Sequence, residues 1–141
     1  MKKNKKGFTL VELVIVVAVM AVLIAVAIPT VSSITKTARR TVADTNARTI
    51  ESTIKLAEAE LSKDGDGTVK LDATAIAKAL NDAKLGIESG RYIYNPTLGT
   101  VVAVYTDLAE GETAATAAVG QYTITFTEGV AAAVLKEGSG T

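Results

Sequence analysis

The chain predicts an α+β protein: one long N-terminal helix whose outer half is transmembrane, packed through its other half on a small antiparallel sheet of about four strands. Three observations carry this expectation. Residues 13–28 (LVIVVAVMAVLIAVAI) contain no charge, a stretch free of Gly and Pro continues from Val31 to Ser62 with a helix-period apolar stripe, and from Arg91 onward the apolar pattern changes to period two. At 141 residues the chain has room for one modest domain beyond the apolar stem.

The N-terminal stretch sets the frame. Phe8 to Ile28 is 21 residues, roughly 30 Å as a helix, which is about the thickness of a bilayer's hydrocarbon core. Lys2, Lys3, Lys5 and Lys6 precede it and hold the N-terminus on the cytoplasmic side, so that the rest of the chain is delivered to the outer face; Lys36, Arg39 and Arg40 beyond the span weaken that asymmetry. Glu12 is the anomaly, because a charged residue at mid-membrane costs roughly 2.5–3.5 kcal/mol and so calls for a partner. One reading is local: Thr9-Leu10-Val11-Glu12 fits the capping box, in which Glu reaches back to the start of its own helix. Another follows from a cut between Gly7 and Phe8. That cut removes four lysines and leaves an amine on Phe8, for which Glu12 of a neighbouring subunit is a counter-charge; in a dry helix bundle the pair sets the axial stagger.

Residues KKGFTLVELVIVVAVMAVLIAVAIP resemble the class III signal segment of type IV pilins and pseudopilins. The resemblance covers about the first 30 residues, including Gly7, Phe8, Glu12 and Pro29. It implies a pilin-like fold in which a prepilin peptidase cuts after Gly7 and methylates the new terminal Phe8, with Glu12 setting subunit register. The domains it implies are a leader at 1–7, a transmembrane and assembly segment at 8–29, and a pilin globular domain at 30–141. It further implies a structural subunit of a type IV pilus-like surface filament, single-pass in the cytoplasmic membrane before assembly and extracellular afterwards. Its partners would be copies of itself, the prepilin peptidase, and an assembly platform with its ATPase. A pseudopilin of a type II secretion or competence system carries the same signal. From another class, Ala25-Val26-Ala27 satisfies an ordinary signal peptide, whose cleavage after Ala27 would release a secreted binding module; a plain membrane anchor is a third reading.

Composition narrows the chemistry. The chain has 15 basic and 15 acidic residues; without the four leader lysines, 11 basic face 15 acidic, and no basic nucleic-acid footprint remains, so no nucleic-acid partner is expected. Cys and His are both absent, which removes disulfides and thiolate metal sites. Many pilins close a C-terminal loop with a disulfide; here packing and hydrogen bonds must hold that region. Nucleophilic catalysis would have to rest on Ser33-Ile34-Thr35-Lys36, an S-x-x-K match in the stem helix without its companion motifs. The expectation is that the chain is not an enzyme and carries no cofactor or metal.

Taken in order, Pro29 removes the N–H that would bond the Ala25 carbonyl, so a kink is expected there, with the helix resuming beyond it. Ala18, Ala21 and Ala25 permit close approach of a second helix. Ala43, Ala47, Ile50, Ile54, Ala57 and Leu61 alternate spacings of four and three and predict a buried stripe. Arg40 with Asp44, Asp44 with Arg48, and Glu51 with Lys55 lie at i, i+4, as on a solvated helix face. Ser62 to Gly67 should end the helix in a turn; an EF-hand started at Asp64 fails, because Ala75 falls where the bidentate Glu belongs. Asp72 predicts the N-cap of a short helix with Ile76 and Leu80 inward and a stop at Gly86.

Residues 91–95 and 101–106 predict one hairpin, and 122–127 with 130–135 a second, turned by Glu128-Gly129, with Tyr122, Ile124 and Phe126 facing the stem helix. Between them, Asp107, Glu110 and Glu112 offer three acids to calcium, but nothing fixes their geometry; a solvated loop is expected and calcium stays open. The tail from Glu137 to Thr141 should be flexible.

Overall fold

The structure, a computed structural model, describes residues 7–62, 69–106, 108 and 113–138. Its elements are α1 (Leu10–Ser62), α2 (Ala73–Asp82), β1 (Ser89–Asn95), β2 (Thr100–Ala103), β3 (Tyr122–Thr127) and β4 (Val130–Leu135). The four strands form one antiparallel sheet in the order β2-β1-β3-β4. Contacts divide the chain into two units, Met1–Ala38 and Arg39–Thr141.

In the first unit, the described residues are almost entirely helical, and every side chain from Gly7 to Ile28 is exposed. Leu, Val, Ile and Ala sustain a helix without internal polar competition, and α1 is the one helix long and apolar enough to cross a membrane among the described residues. Helical assignment runs through Pro29. The side chains of Pro29 and Thr30 lie outside the described ones, and the kink expected there with them. Where polar residues return, Thr35 donates to the Val31 carbonyl at 2.9 Å and Thr37 to that of Ser33 at 3.1 Å, satisfying each hydroxyl locally.

In the second unit, α1 lies against the sheet through the stripe its periodicity predicts: Ala47, Ile50 and Ile54 are buried, and Ala43 and Ala57 pack at the margin. Leu61 does not join them and is 49% exposed, lining an open depression between α1 and α2. The sheet contributes Tyr92, Tyr94, Ile124, Phe126 and Ala131 to the same core, and α2 adds Ile76 and Leu80. Tyr92 meets Phe126 edge-on at 6.0 Å, and Tyr94 stacks on Tyr122 at 6.1 Å. Each buried tyrosine has a polar handle on α1: Asn46 Nδ2 donates to the Tyr92 hydroxyl at 3.3 Å, and the Tyr94 hydroxyl donates to Glu58 at 2.9 Å. Gly90 makes room for Tyr92, since a Cβ there would stand 2.9 Å from the Tyr92 hydroxyl, on a backbone with φ +147°.

Two boundaries depart from the sequence expectation. Asp72 caps α2 as anticipated, its carboxylate accepting from the Ala75 N–H at 2.7 Å, but the helix ends at Asp82, before Gly86. Lys84 already takes a left-handed conformation, φ 47°, and stops the helix two residues early at some steric cost. The strand expected over 101–106 covers only Thr100–Ala103. One further ladder bond joins the Val104 N–H to the Arg91 carbonyl at 2.8 Å; Tyr105 then turns to α1, its hydroxyl donating to Asp44 and its ring lying 5.1 Å beneath the Arg40 guanidinium. The β3–β4 hairpin follows its expected residues, with both turn positions, Glu128 and Gly129, at positive φ (51° and 79°), as a type I′ turn requires.

Both sheet edges are clasped by helix side chains. On β2, the Val101 N–H donates to Glu51 of α1 at 3.2 Å. On β4, the Asn81 carboxamide of α2 accepts from the Ala131 N–H at 2.7 Å and donates to its carbonyl at 3.0 Å, imitating one step of a neighbouring strand. These contacts do structurally what a disulfide cannot do in this chain. The turn expected from Lys63 to Gly67, the acids Asp107, Glu110 and Glu112 with their calcium question, and the last residues, Ser139 to Thr141, lie outside the described residues.

Candidate functional site

The junction Gly7-Phe8-Thr9 precedes the first residue of α1 and is non-helical. Nothing stands within 4 Å of where a Gly7 Cβ would be, and its φ lies outside the left-handed region. Among the described residues no packing demand therefore requires glycine at this position. Phe8 is 82% exposed, so its ring has no intrachain role either. The peptide bond between Gly7 and Phe8 is therefore exposed and non-helical, flanked by the smallest residue and a large apolar one.

Directly downstream, the helix start is closed by a capping box. Glu12 Oε2 accepts from the Thr9 N–H at 2.9 Å and from the Thr9 hydroxyl at 2.8 Å, and the Glu12 N–H donates to Thr9 Oγ1 at 3.3 Å. The Leu13 N–H reaches the Thr9 carbonyl at 3.3 Å, which makes Thr9 the N-cap. A carboxylate in the first turn is also favoured by the helix dipole. The local reading of Glu12 is thus realised within a single chain. It does not exhaust the side chain: both Thr9 contacts use Oε2, and Oε1 makes no hydrogen bond among the described residues. A cut between Gly7 and Phe8 would leave the whole box on the mature side and place a new amine one residue before it.

The S-x-x-K pair, Ser33 and Lys36, is exposed on α1. Among the described residues no group of three or more Asp, Glu, His or Cys could hold a metal ion. Sequence reasoning did not find the Arg40–Tyr105–Asp44 contact or the two edge clasps, and it assigned no face to Arg91 and did not pair it with Lys136.

A long N-terminal apolar helix packed on a four-stranded antiparallel sheet, with a capped and exposed first turn, is pilin-like. Residues 2–28 match the family model for the prokaryotic N-terminal methylation motif, the class III signal of type IV pilins and pseudopilins. The motif supports a type IV pilin-like or pseudopilin precursor, and points to a structural protein instead of an enzyme. No curated protein and no solved structure matches the chain.

Proposed function

We propose that the chain is a filament subunit: a prepilin peptidase cleaves between Gly7 and Phe8 and methylates Phe8, the processed stem leaves the membrane, and copies assemble through their apolar helices on a platform driven by a cytoplasmic ATPase. The observation that supports this most is the stem itself. Every side chain from Phe8 to Ile28 is exposed in the single chain; that much apolar surface is stable only in lipid or against other copies.

Within that reading Glu12 has two tasks, served by different oxygens. Oε2 holds the helix start, and Oε1 is available to the Phe8 amine of a neighbour. The variants Glu12→Gln and Glu12→Ala separate them. Gln keeps a capping-box acceptor but has no charge; Ala loses both. Both variants should insert and be cleaved as the wild type is, and filament yield, measured by electron microscopy of sheared surface fractions, should collapse in both. Normal filaments from Glu12→Gln would leave the capping box as the whole role of Glu12 and remove it from subunit register.

A further inference from the structure

The face of the sheet turned away from α1 carries a depression with a cation at each end. Strand alternation sends Tyr92, Ile124, Phe126 and Ala131 to the core, so Arg91, Ile93 and Thr123 lie on the opposite face, where Ile93 pairs with Thr123 and Thr123 with Val134. Residues 114–117 lie along this face, and with it they line a cavity of about 240 Å³. Its apolar wall includes Ile93 and Val104, which are 7% and 8% exposed; Thr116 and Thr123 supply hydroxyls; Arg91 and Lys136 supply the charge.

The register separates the two cations. Arg91 pairs with Thr125, which pairs with Ala132, and Lys136 follows four residues further on. Their Cα atoms are therefore about 13 Å apart along the strands and about 10 Å apart across them. Both backbones are fixed: the Arg91 carbonyl accepts from the Val104 N–H at 2.8 Å, while Lys136 donates to the Gln121 carbonyl at 2.8 Å and accepts from the Gly120 N–H at 2.9 Å. Among the described residues neither side chain makes an ion pair or a hydrogen bond, and none of the residues lining the cavity is acidic. Two other cations of the same unit are partnered, Lys55 by Glu51 and Lys78 by Asp82.

We propose that this trough binds a small ligand carrying two anionic groups on an apolar body, of the dicarboxylate class, with one carboxylate on the Arg91 guanidinium and the other on the Lys136 ammonium. The body would lie over Ile93 and Val104, and the threonine hydroxyls would serve the remaining carboxylate lone pairs. Two separated cations select for ligand length, which a single positive patch cannot do. The site is independent of filament assembly and is tested on the unassembled protein.

The experiment titrates the full chain, in a polyoxyethylene detergent, with linear dicarboxylates from succinate to azelate at constant ionic strength, using calorimetry; propionate and inorganic phosphate are the controls. Affinity should pass through an optimum in chain length, with both controls at least about tenfold weaker. Arg91→Gln and Lys136→Gln should each cost about tenfold, as expected for one charge-assisted hydrogen bond, and abolish the length optimum. Near-UV circular dichroism and melting temperature should stay unchanged, since both side chains are exposed and, among the described residues, neither makes an ion pair or a hydrogen bond. Absence of saturable binding, affinity that follows charge regardless of length, or variants that bind as the wild type does would each overturn the proposal.

Discussion

Asn81 is the most informative single substitution in the folded unit. Its carboxamide satisfies both backbone groups of Ala131, a residue 3% exposed, at 2.7 and 3.0 Å. Truncation to Ala leaves a donor and an acceptor without partners, at about 1–3 kcal/mol for each buried group. Because β4 is an edge strand, water can reach part of what is freed, and a total near the lower end, about 2–3 kcal/mol, is expected. In a unit of roughly 100 residues that corresponds to a melting temperature lower by about 10 °C or more.

Tyrosine near-UV circular dichroism reads this unit selectively. The chain has no Trp, and its four tyrosines, Tyr92, Tyr94, Tyr105 and Tyr122, all lie in the sheet or beside it. Asn81→Asp, which keeps the acceptor for the Ala131 N–H but cannot donate to the carbonyl, should fall between wild type and Ala. The freed edge should also raise association of the Ala variant, visible by light scattering. A melting temperature for Asn81→Ala within about 2 °C of wild type would refute the reasoning, since it would put the loss below about 0.5 kcal/mol.

Other expectations follow from the same contacts. Ile54, fully buried between α1 and the sheet, should lose about 2–5 kcal/mol on truncation to Ala, while Leu61→Ser at the exposed end of the stripe should stay within about 0.5 kcal/mol by denaturant titration. Gly90→Ala should force the Tyr92 ring off its place and weaken its near-UV signal, because the new Cβ would meet the hydroxyl at 2.9 Å. Two tyrosines contribute to alkaline stability. Burial first, and then the hydrogen bond to Glu58, push Tyr94 well above the usual phenol range, and the hydrogen bond to Asp44, followed by burial, raises Tyr105. A folded-state pKa above the unfolded one gives stability that is present below about pH 10 and is lost as pH rises through the folded value. Melting temperature should therefore fall steeply only above about pH 10, and Tyr94→Phe should flatten part of that fall.

Much of the fold was legible because its signals are local. The β3–β4 hairpin announces itself by strict alternation and a two-residue turn, α2 by Asp72 and a four-residue apolar spacing, and the capping box by Thr9 and Glu12 at their required separation. Helical periodicity placed Ala47, Ile50 and Ile54 correctly, but it cannot show where the opposing surface ends, which is why Leu61 was expected in a core it does not reach. Lys84 was missed as a helix stop because a lysine in left-handed conformation has no sequence signal, whereas Gly86 nearby has a strong one. The clasps were invisible for a different reason: Asn81 meets Ala131 50 residues away, and Tyr105 meets Asp44 61 residues away, at distances set by sheet register and side-chain reach. The same holds for Arg91 and Lys136, which strand order brings to one face. Gly7, by contrast, was singled out by motif alone, and among the described residues nothing packs where its Cβ would be.

The central claim is tested most directly by the intact mass and N-terminal sequence of the protein recovered from its native membrane or sheared surface fraction. The account predicts a chain beginning at Phe8 with a methylated amine, the rest unaltered. A chain still beginning at Met1 would mean the Gly7–Phe8 junction is not a processing site, and one beginning at Ile28 would mean that the stem is a discarded signal peptide; either result would contradict it.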